Sequence, residues 1–462
     1  MFRLEEKKNN IAAKNAEGQH VTYADLIDFE ETFYSWVGGR TLIFILCKNR
    51  ISSLKGYVAS IEKGIVPLLL DADMDEMLLK NLIKTYEPEY LWLPSEKKDN
   101  FSYEEKNSDG YYSLLKTGYE RAELFDNLAL LLNTSGSTGA SKLVRQSYRN
   151  IEANMQSIAS YLELDENERP ITTLAMHYTY GLSIINSHLY VGATILMTDF
   201  GIMQKEFWNF LRTEKATSFG GVPYTYEMLK KLRIFKMDLP YLKTMTQSGG
   251  KLTPELHKEF AEFALANDKH FIVMYGQTEA TARMSYLPYE KALEKYGSMG
   301  VAIPGGKISL IDISDSEITE PEVVGEIVYE GENVTLGYAQ KKEDLILGDE
   351  RKGRLVTGDM AKFDADGYYY IVGRKKRFLK LYGNRVNLDE CERLIKSNLE
   401  IECVCAGKDD HLCVYVLKEE DAGKCIEFLS KTTGIHFKAF SAKVIDEIPR
   451  NDAGKIQYNK LD

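Results

Sequence analysis

The chain lacks an apolar leader: its 462 residues open on "MFRLEEKKNN", which has no hydrophobic core and is no secretory signal. It also lacks any apolar run near the roughly 18 residues that suggest a membrane helix. "LIFILC" and "IVPLLL" have only the length of buried strands. Both absences point to a soluble, cytoplasmic protein without a membrane span. Cysteine is scarce. Cys47, Cys391, Cys403, Cys405, Cys413 and Cys425 are the whole set, and no C-x-x-C pair occurs. A zinc site is therefore weakly supported, and in a reducing compartment the thiols read as buried and structural. Glycine and proline total 45 (34 plus 11), which excludes collagen-like and disordered classes. Basic charge is outnumbered, 58 residues against 69 acidic ones, for a net −11. A duplex-binding protein presents a basic face, so nucleic acid is a poor partner. A small anion needs only a few cations gathered in one cleft.

What is present is ample hydrophobic content, 44%, over a length that allows two or three domains. "TLIFILC", "SSLKGYVASIEKG", "IVPLLL", "MDEMLLKNLIKTY" and "EYLWLP" alternate short apolar runs with amphipathic helices. That alternation predicts a mainly parallel sheet covered on both faces. The pattern returns in "LALLLNT" and in a helix near 149–162, where Ile151, Met155, Ile158 and Leu162 recur at helical spacing. Further strands are expected in "GATILMTDF", "ATSFGGVP", "YLKTMTQSGG" and "HFIVMYGQTE". After about residue 300 the texture turns β-rich, with "DADG" predicting a hairpin. The segment from about 375 to 462 opens on the basic run "GRKKRFLK" and reads as a small βαβ-like lid.

Four stretches carry chemistry. "NTSGSTGASK" (133–142) follows a buried strand. Its backbone N–H groups and hydroxyls, with Lys142 at the end, suit an anion; a plain linker is the alternative. It is not a Walker loop, because the spacing is wrong and Leu143 follows the lysine. "MYGQTEA" (274–280) offers the flat ring of Tyr275, the Thr278 hydroxyl and the Glu279 carboxylate at a strand's C-terminal end, where open α/β sheets bind ligands. A carboxylate beside a phosphate loop can hold Mg²⁺; an ordinary helix start is the alternative. In "VTGD" and "VGR", Asp359 can accept from ribose hydroxyls, and Arg374 can reach phosphate or ribose. Lys455 follows Gly454 in the turn-rich "IPRNDAGKI".

Together, in this order, the four resemble the adenylate-forming superfamily of acyl-CoA synthetases, peptide-synthetase adenylation domains and luciferases. The resemblance extends to "LCKNRISSLKGYVASIEKGIVPLLLD", "GGVPYTYEML", "QSGGKLTPEL" and "GEIVYEGENVTLGY", so it covers nearly the whole chain. It implies an α/β fold: a large N-terminal adenylation domain of helix-covered mixed sheets with a β-barrel-like subdomain, 1–373, and a mobile α+β lid, 374–462. The implied reaction activates a carboxylic acid with ATP and Mg²⁺ to an acyl-adenylate, releases pyrophosphate, and passes the acyl group to the thiol of CoA or phosphopantetheine.

By resemblance, Thr134, Ser135, Gly136, Ser137, Thr138, Gly139 and Lys142 cradle the β- and γ-phosphates. Tyr275 stacks on adenine within Gly276 and Gln277, and Gly249, Gly250 and Lys251 line its other face. Thr278 touches the α-phosphate, and Glu279 holds the metal. Asp359 takes the ribose, Ile371 packs on the nucleoside, and Arg374 binds ribose. Lys455 bridges the substrate carboxylate and the α-phosphate, which makes Lys455, Glu279 and Thr278 the catalytic set. The hinge falls at Lys375 and Lys376, while Lys380 and Gly383 swing in for thiolation. "AMHYTYGLSIINSHL" occupies the acyl-pocket motif, with His177 or Tyr178 as its key residue, and with Gly181 and Tyr224 facing the pocket. No acidic residue lies between 171 and 198, which disfavours an α-amino acid and suggests a neutral acyl or aryl acid. Transfer to a dedicated acyl carrier protein is the alternative; a non-catalytic nucleotide-binding relative would be expected to have lost Lys455, Glu279 or Asp359. The sequence departs from the family pattern at "SKL" after the phosphate loop, at Lys376, at Tyr458 and in a short lid.

Overall fold

The computed structural model describes residues 1–133, 142–382, 384–450 and 456–461. The chain divides into two compact units. One comprises Met1–Lys307 with Tyr329–Leu355, the other Ile308–Val328 with Val356–Asp462.

The first unit is built on an eight-stranded sheet. Its order is Gly337–Ala339, Leu143–Ser147, Leu128–Asn133, Val66–Asp71, Leu42–Cys47, Tyr90–Pro94, Tyr112–Lys116, Glu104–Ser108. The four central strands are parallel, and the two on each flank are antiparallel. The predicted parallel arrangement thus holds at the centre, where helical crossovers connect strands, and gives way where short turns permit hairpins. In Leu42–Cys47, Ile43, Ile45 and Cys47 join one hydrophobic core, while Leu42, Phe44 and Leu46 join another. Side chains alternate across a strand, so burial on both faces demands a continuous apolar run. The helix Ile51–Glu62 presses onto this sheet so closely that a Cβ on Gly56 would collide with the Trp92 ring. The Trp92 indole N–H finds its partner there, donating to the Ser52 carbonyl at 2.9 Å.

A five-stranded sheet follows the same logic. Ser218–Gly221, Thr244–Gln247 and His270–Tyr275 are parallel; Ser285–Tyr286 and Val301–Ala302 add antiparallel strands. A small sheet places Ile11–Asn15 between His20–Thr22 and Ile195–Met197. The helix predicted near 149–162 spans Tyr148–Tyr161, started by a reciprocal cap between Ser147 and Asn150.

Another five-stranded sheet, most of whose residues belong to the second unit, is ordered Glu317–Ile318, Gly306–Ile311, Gly325–Gly331, Arg354–Phe363, Tyr369–Arg374. The "DADG" hairpin joins its last two strands; Asp364 Oδ1 accepts from Asp366 N and Tyr368 N, and Gly367 takes the left-handed conformation. Next come the hairpin Phe378–Leu381 and Asn384–Asn387 and the helix Leu388–Leu399. A three-stranded sheet follows, in which His411–Val416 and Phe440–Val444 run parallel around the helix Glu419–Thr433, the expected βαβ element. This tail is joined to the sheet before it: Asn387 Nδ2 donates to Val372 O at 2.8 Å, and Lys375 pairs with Glu326 at 2.6 Å. All six cysteines are buried and free. Among the described residues no helix is long and apolar enough to cross a membrane.

Two buried histidines in the first unit are held neutral. Burial pushes the imidazoles of His188 and His257 down to about 4. His257 Nδ1 accepts from Gly297 N at 3.0 Å, a bond that protonation abolishes. Unfolding exposes both rings, which then bind protons near the ordinary histidine value. Stability therefore falls as pH drops from about 6.5 toward 4, by up to about 1.4 kcal/mol per pH unit per ring. Denaturant unfolding followed at pH 7 and pH 5 should show this loss, and His257→Gln should reduce the slope by about one proton.

Candidate active site

The three parallel strands of the five-stranded sheet end side by side at Gly221, Gln247 and Tyr275, and each runs directly into a turn. This is the sheet edge at which α/β proteins bind ligands. Two of these turns are shaped by close approaches at a glycine. At Gly276 a Cβ would occupy the position of the Ala282 carbonyl, so only glycine fits. The backbone then reverses through left-handed Thr281 and Ala282. Gly249 has φ +83°, and a Cβ there would stand 2.7 Å from the Tyr178 hydroxyl. Gln247 Nε2 fastens that turn by donating to Gly250 O at 2.9 Å.

Tyr275, Gly276, Gln277, Thr278 and Glu279 thus lie together on one turn. Gln277 Nε2 donates to Tyr275 Oη at 3.2 Å and orients the buried ring. Thr278–Ala280 form one tight helical turn. Glu279 Oε1 accepts from the Tyr338 hydroxyl at 2.7 Å. Burial and the Glu279 charge push the Tyr338 phenol up to about 12, so it remains the donor. The Arg351 guanidinium lies 4.6 Å from the Tyr338 ring centre, and Lys142 Nζ lies 5.7 Å from the same ring. Arg351 also donates to the Glu279 carbonyl at 3.2 Å and to Thr335 Oγ1. Two cations and one carboxylate therefore surround one tyrosine. Arg145, fully buried, fixes that tyrosine's strand: its Nε donates to Tyr338 O at 3.1 Å, and it pairs with Glu350.

The acyl-pocket candidates gather at the start of the helix Thr179–Val191. His177 and Tyr178 are half-buried, and Tyr178 abuts the Gly249 turn. Gly181 has a local reason to be glycine, since a Cβ would strike the Ala175 carbonyl. Tyr224, in the first turn of Pro223–Lys231, is exposed, as are Gly250 and Lys251.

In the second unit, Asp359 and Arg374 are cross-strand partners, with Arg374 Nε 3.4 Å from Asp359 Oδ1. Asp359 is only 6% exposed, whereas the Arg374 side chain is 68% exposed. Ile371 sits on the same strand, opposite Ala361. Lys380 belongs to the first strand of the next hairpin, its N–H donating to Asp409 at 2.8 Å. Tyr458, where the family often has arginine, lies beneath Arg377 at 3.8 Å. Thr134, Ser135, Gly136, Ser137, Thr138, Gly139, Gly383 and Lys455 lie outside the described residues, and Lys376 is described by its backbone alone.

Sequence reasoning assigned no role to Tyr338, Arg351 or Arg283. Tyr338 stood in the quoted "VTLGY", and Arg283 stands in an otherwise small and apolar stretch, "ATARMSY". A charge among small and apolar residues was the available signal for the latter.

Comparison with known proteins agrees with this geometry. Residues 3–339 match the family model of the AMP-binding enzyme. Among curated relatives, Peroxisomal OPC-8:0-CoA ligase 1 of Arabidopsis thaliana is 28% identical over 352 residues, covering 73% of this chain and 64% of its own length. Oxalate–CoA ligase of the same plant is 26% identical, covering 72% and 66%. The chain thus spans a little under two thirds of the curated relatives it matches. Among solved structures, o-succinylbenzoate coenzyme A synthetase (MenE) from Bacillus subtilis with AMP superposes with a TM-score of 0.80 at 21% identity, over 99% of this chain and 97% of that one. ATP-bound MatB from Rhodopseudomonas palustris gives 0.80 at 22% identity, with the same coverages. The fold is the mixed α/β fold of these enzymes, and the chain belongs to the AMP-binding enzyme family.

Proposed function

We propose that this chain activates a carboxylic acid with ATP and then transfers the acyl group to the thiol of coenzyme A. The observation that carries the proposal is the Glu279 carboxylate, held by Tyr338 on the turn after Tyr275, with Lys142 near the ring of that same tyrosine. CoA is favoured as acceptor because the curated relatives are named CoA ligases. Transfer to a phosphopantetheine-bearing carrier protein is the alternative acceptor chemistry. The six buried free thiols suit a reducing, cytoplasmic setting.

In this reading a carboxylate oxygen of the acid attacks the α-phosphorus, and the bond from that phosphorus to the bridging oxygen of pyrophosphate breaks. Both reactants are anions, so fixed positive charge must offset their repulsion and meet the developing charge. Lys142 and the loop 134–139 serve the leaving pyrophosphate. Thr278 and Lys455 serve the α-phosphate, and Tyr275 with Gly249 and Gly250 frames the adenine. Asp359 accepts from the ribose. The thiolate sulfur then attacks the acyl carbon, and AMP leaves. The second half-reaction uses a lid that begins at 374 and turns at Lys375 and Lys376, with Lys380 and Gly383 brought toward the thiol.

The residues present fit Mg²⁺. Among the described residues no group of three or more His, Cys, Asp or Glu forms a cage. A single carboxylate beside nucleotide phosphates is the arrangement Mg²⁺ uses, since it keeps several waters. Glu279 would hold it, and when bound it would neutralise phosphate charge.

Acid-dependent exchange of pyrophosphate into ATP tests the first half-reaction. Lys455→Ala and Glu279→Gln should each lower the exchange rate about 10²–10³-fold. No exchange with any acid of a broad panel would remove the ligase reading. Tyr338→Phe keeps the ring under Arg351 and Lys142 but frees the carboxylate. It should raise the Mg²⁺ concentration for half-maximal exchange several-fold, with thermal stability within a few degrees of wild type.

A further inference from the structure

The first unit contains a buried cation with no anionic partner among the described residues. Arg283 is 1% exposed. Its Nε donates to Ser183 Oγ at 3.1 Å, its Nη1 donates to Tyr161 Oη at 3.0 Å and also contacts Met274 Sδ, and its guanidinium lies 4.8 Å from the Tyr180 ring centre. Nη2 is buried and has no hydrogen-bond partner among the described residues. Among the described residues no carboxylate pairs with Arg283. Burying an unpaired charge costs far more than one cation–π contact returns. The arrangement is that of a receptor whose missing part is an anion.

Its place tells which anion. Arg283 lies four residues beyond Glu279, past the left-handed Thr281 and Ala282. Ser183 and Tyr180 belong to the helix that opens the acyl motif, and no side chain caps that helix at Tyr178. Tyr178 touches Tyr180 edge-on, with ring centres 6.4 Å apart, and its hydroxyl abuts the Gly249 turn. Contacts thus link Gly249, Tyr178, Tyr180 and Arg283 in series. An acid whose reacting carboxylate faces the α-phosphate would point its far end toward Arg283.

We infer that the acid activated here carries a second carboxylate, and that Arg283 Nη2 receives it at the inner end of the acyl site. This rests on the ligase reading for the reacting end of the acid. It replaces the neutral acid suggested by residues 171–198, because Arg283 lies outside that stretch. One carboxylate suits one open nitrogen with two N–H groups; a doubly charged phosphate ester would leave charge unmatched, since no second cation touches Arg283 among the described residues.

The test pairs malonate, succinate, glutarate, adipate and phthalate with the monocarboxylates of equal chain or ring. Two readouts are taken for wild type, Arg283→Met and Arg283→Lys: pyrophosphate exchange, and the melting shift caused by the acid alone. The best diacid should exceed its monoacid in kcat/KM by about 10²-fold or more in wild type, because a site built for a polar group rejects the analogue lacking it. That ratio should collapse toward unity in Arg283→Met and lie between in Arg283→Lys. Monoacids equal to or better than diacids in wild type, or a ratio unmoved in Arg283→Met, would overturn the inference and leave the ligase reading standing. Diacids that raise the melting temperature of wild type but not of Arg283→Met, without any exchange, would sustain the site and remove the ligase reading. If both variants fail to fold, the wild-type ratio alone decides.

Discussion

The close approach of Gly276 to the Ala282 carbonyl is the constraint on which the site depends. It forces the backbone after Tyr275 into a compact loop and sends it back antiparallel as Ser285–Tyr286. The two sides of this loop then face different tasks. Glu279 meets Tyr338, whereas Arg283 enters the tyrosines behind the acyl motif. A side chain at Gly276 would separate the two halves. The glycine is thus fixed by packing between two backbone segments and not by flexibility.

Around this loop the protein gathers residues remote in sequence. Lys142 precedes the strand Leu143–Ser147 and Arg351 comes from the segment beyond the edge strand Gly337–Ala339, yet both converge on the ring of Tyr338. The buried Arg145 makes this possible by tying Tyr338 O and the Leu347 and Gly348 carbonyls to the large sheet. Burial of Arg145 strengthens its own polar contacts, because water competes less for them.

Much of the fold was legible because its signals are local. Continuous apolar runs such as "LIFILC" marked strands buried on both faces, and "DADG" marked a hairpin. The antiparallel flanks of the large sheet were not legible, since pairing direction is decided by chain connections and not by composition. In the site, "YGQTE" was legible as a turn at a strand's C-terminal end because its residue types lie side by side. Tyr338, Arg351 and Arg283 were not, since each acquires its role only from partners far away in sequence. Tyr338 even occurs in a strand context that gives a tyrosine an ordinary reason to be there.

The strand Leu42–Cys47 feeds one core with its odd-numbered residues and another with its even-numbered ones. In a sheet with one wet face, a slip of one residue would drive polar side chains inward and be rejected on polarity alone. Here such a slip would merely exchange Ile43, Ile45 and Cys47 for Leu42, Phe44 and Leu46, all apolar. Alignment of the central strands is therefore enforced by shape: by the differing side chains on the two faces, and by the bare backbone at Gly56 that makes room for the Trp92 ring. The most hydrophobic part of the molecule is thus also the part in which hydrophobicity carries the least positional information.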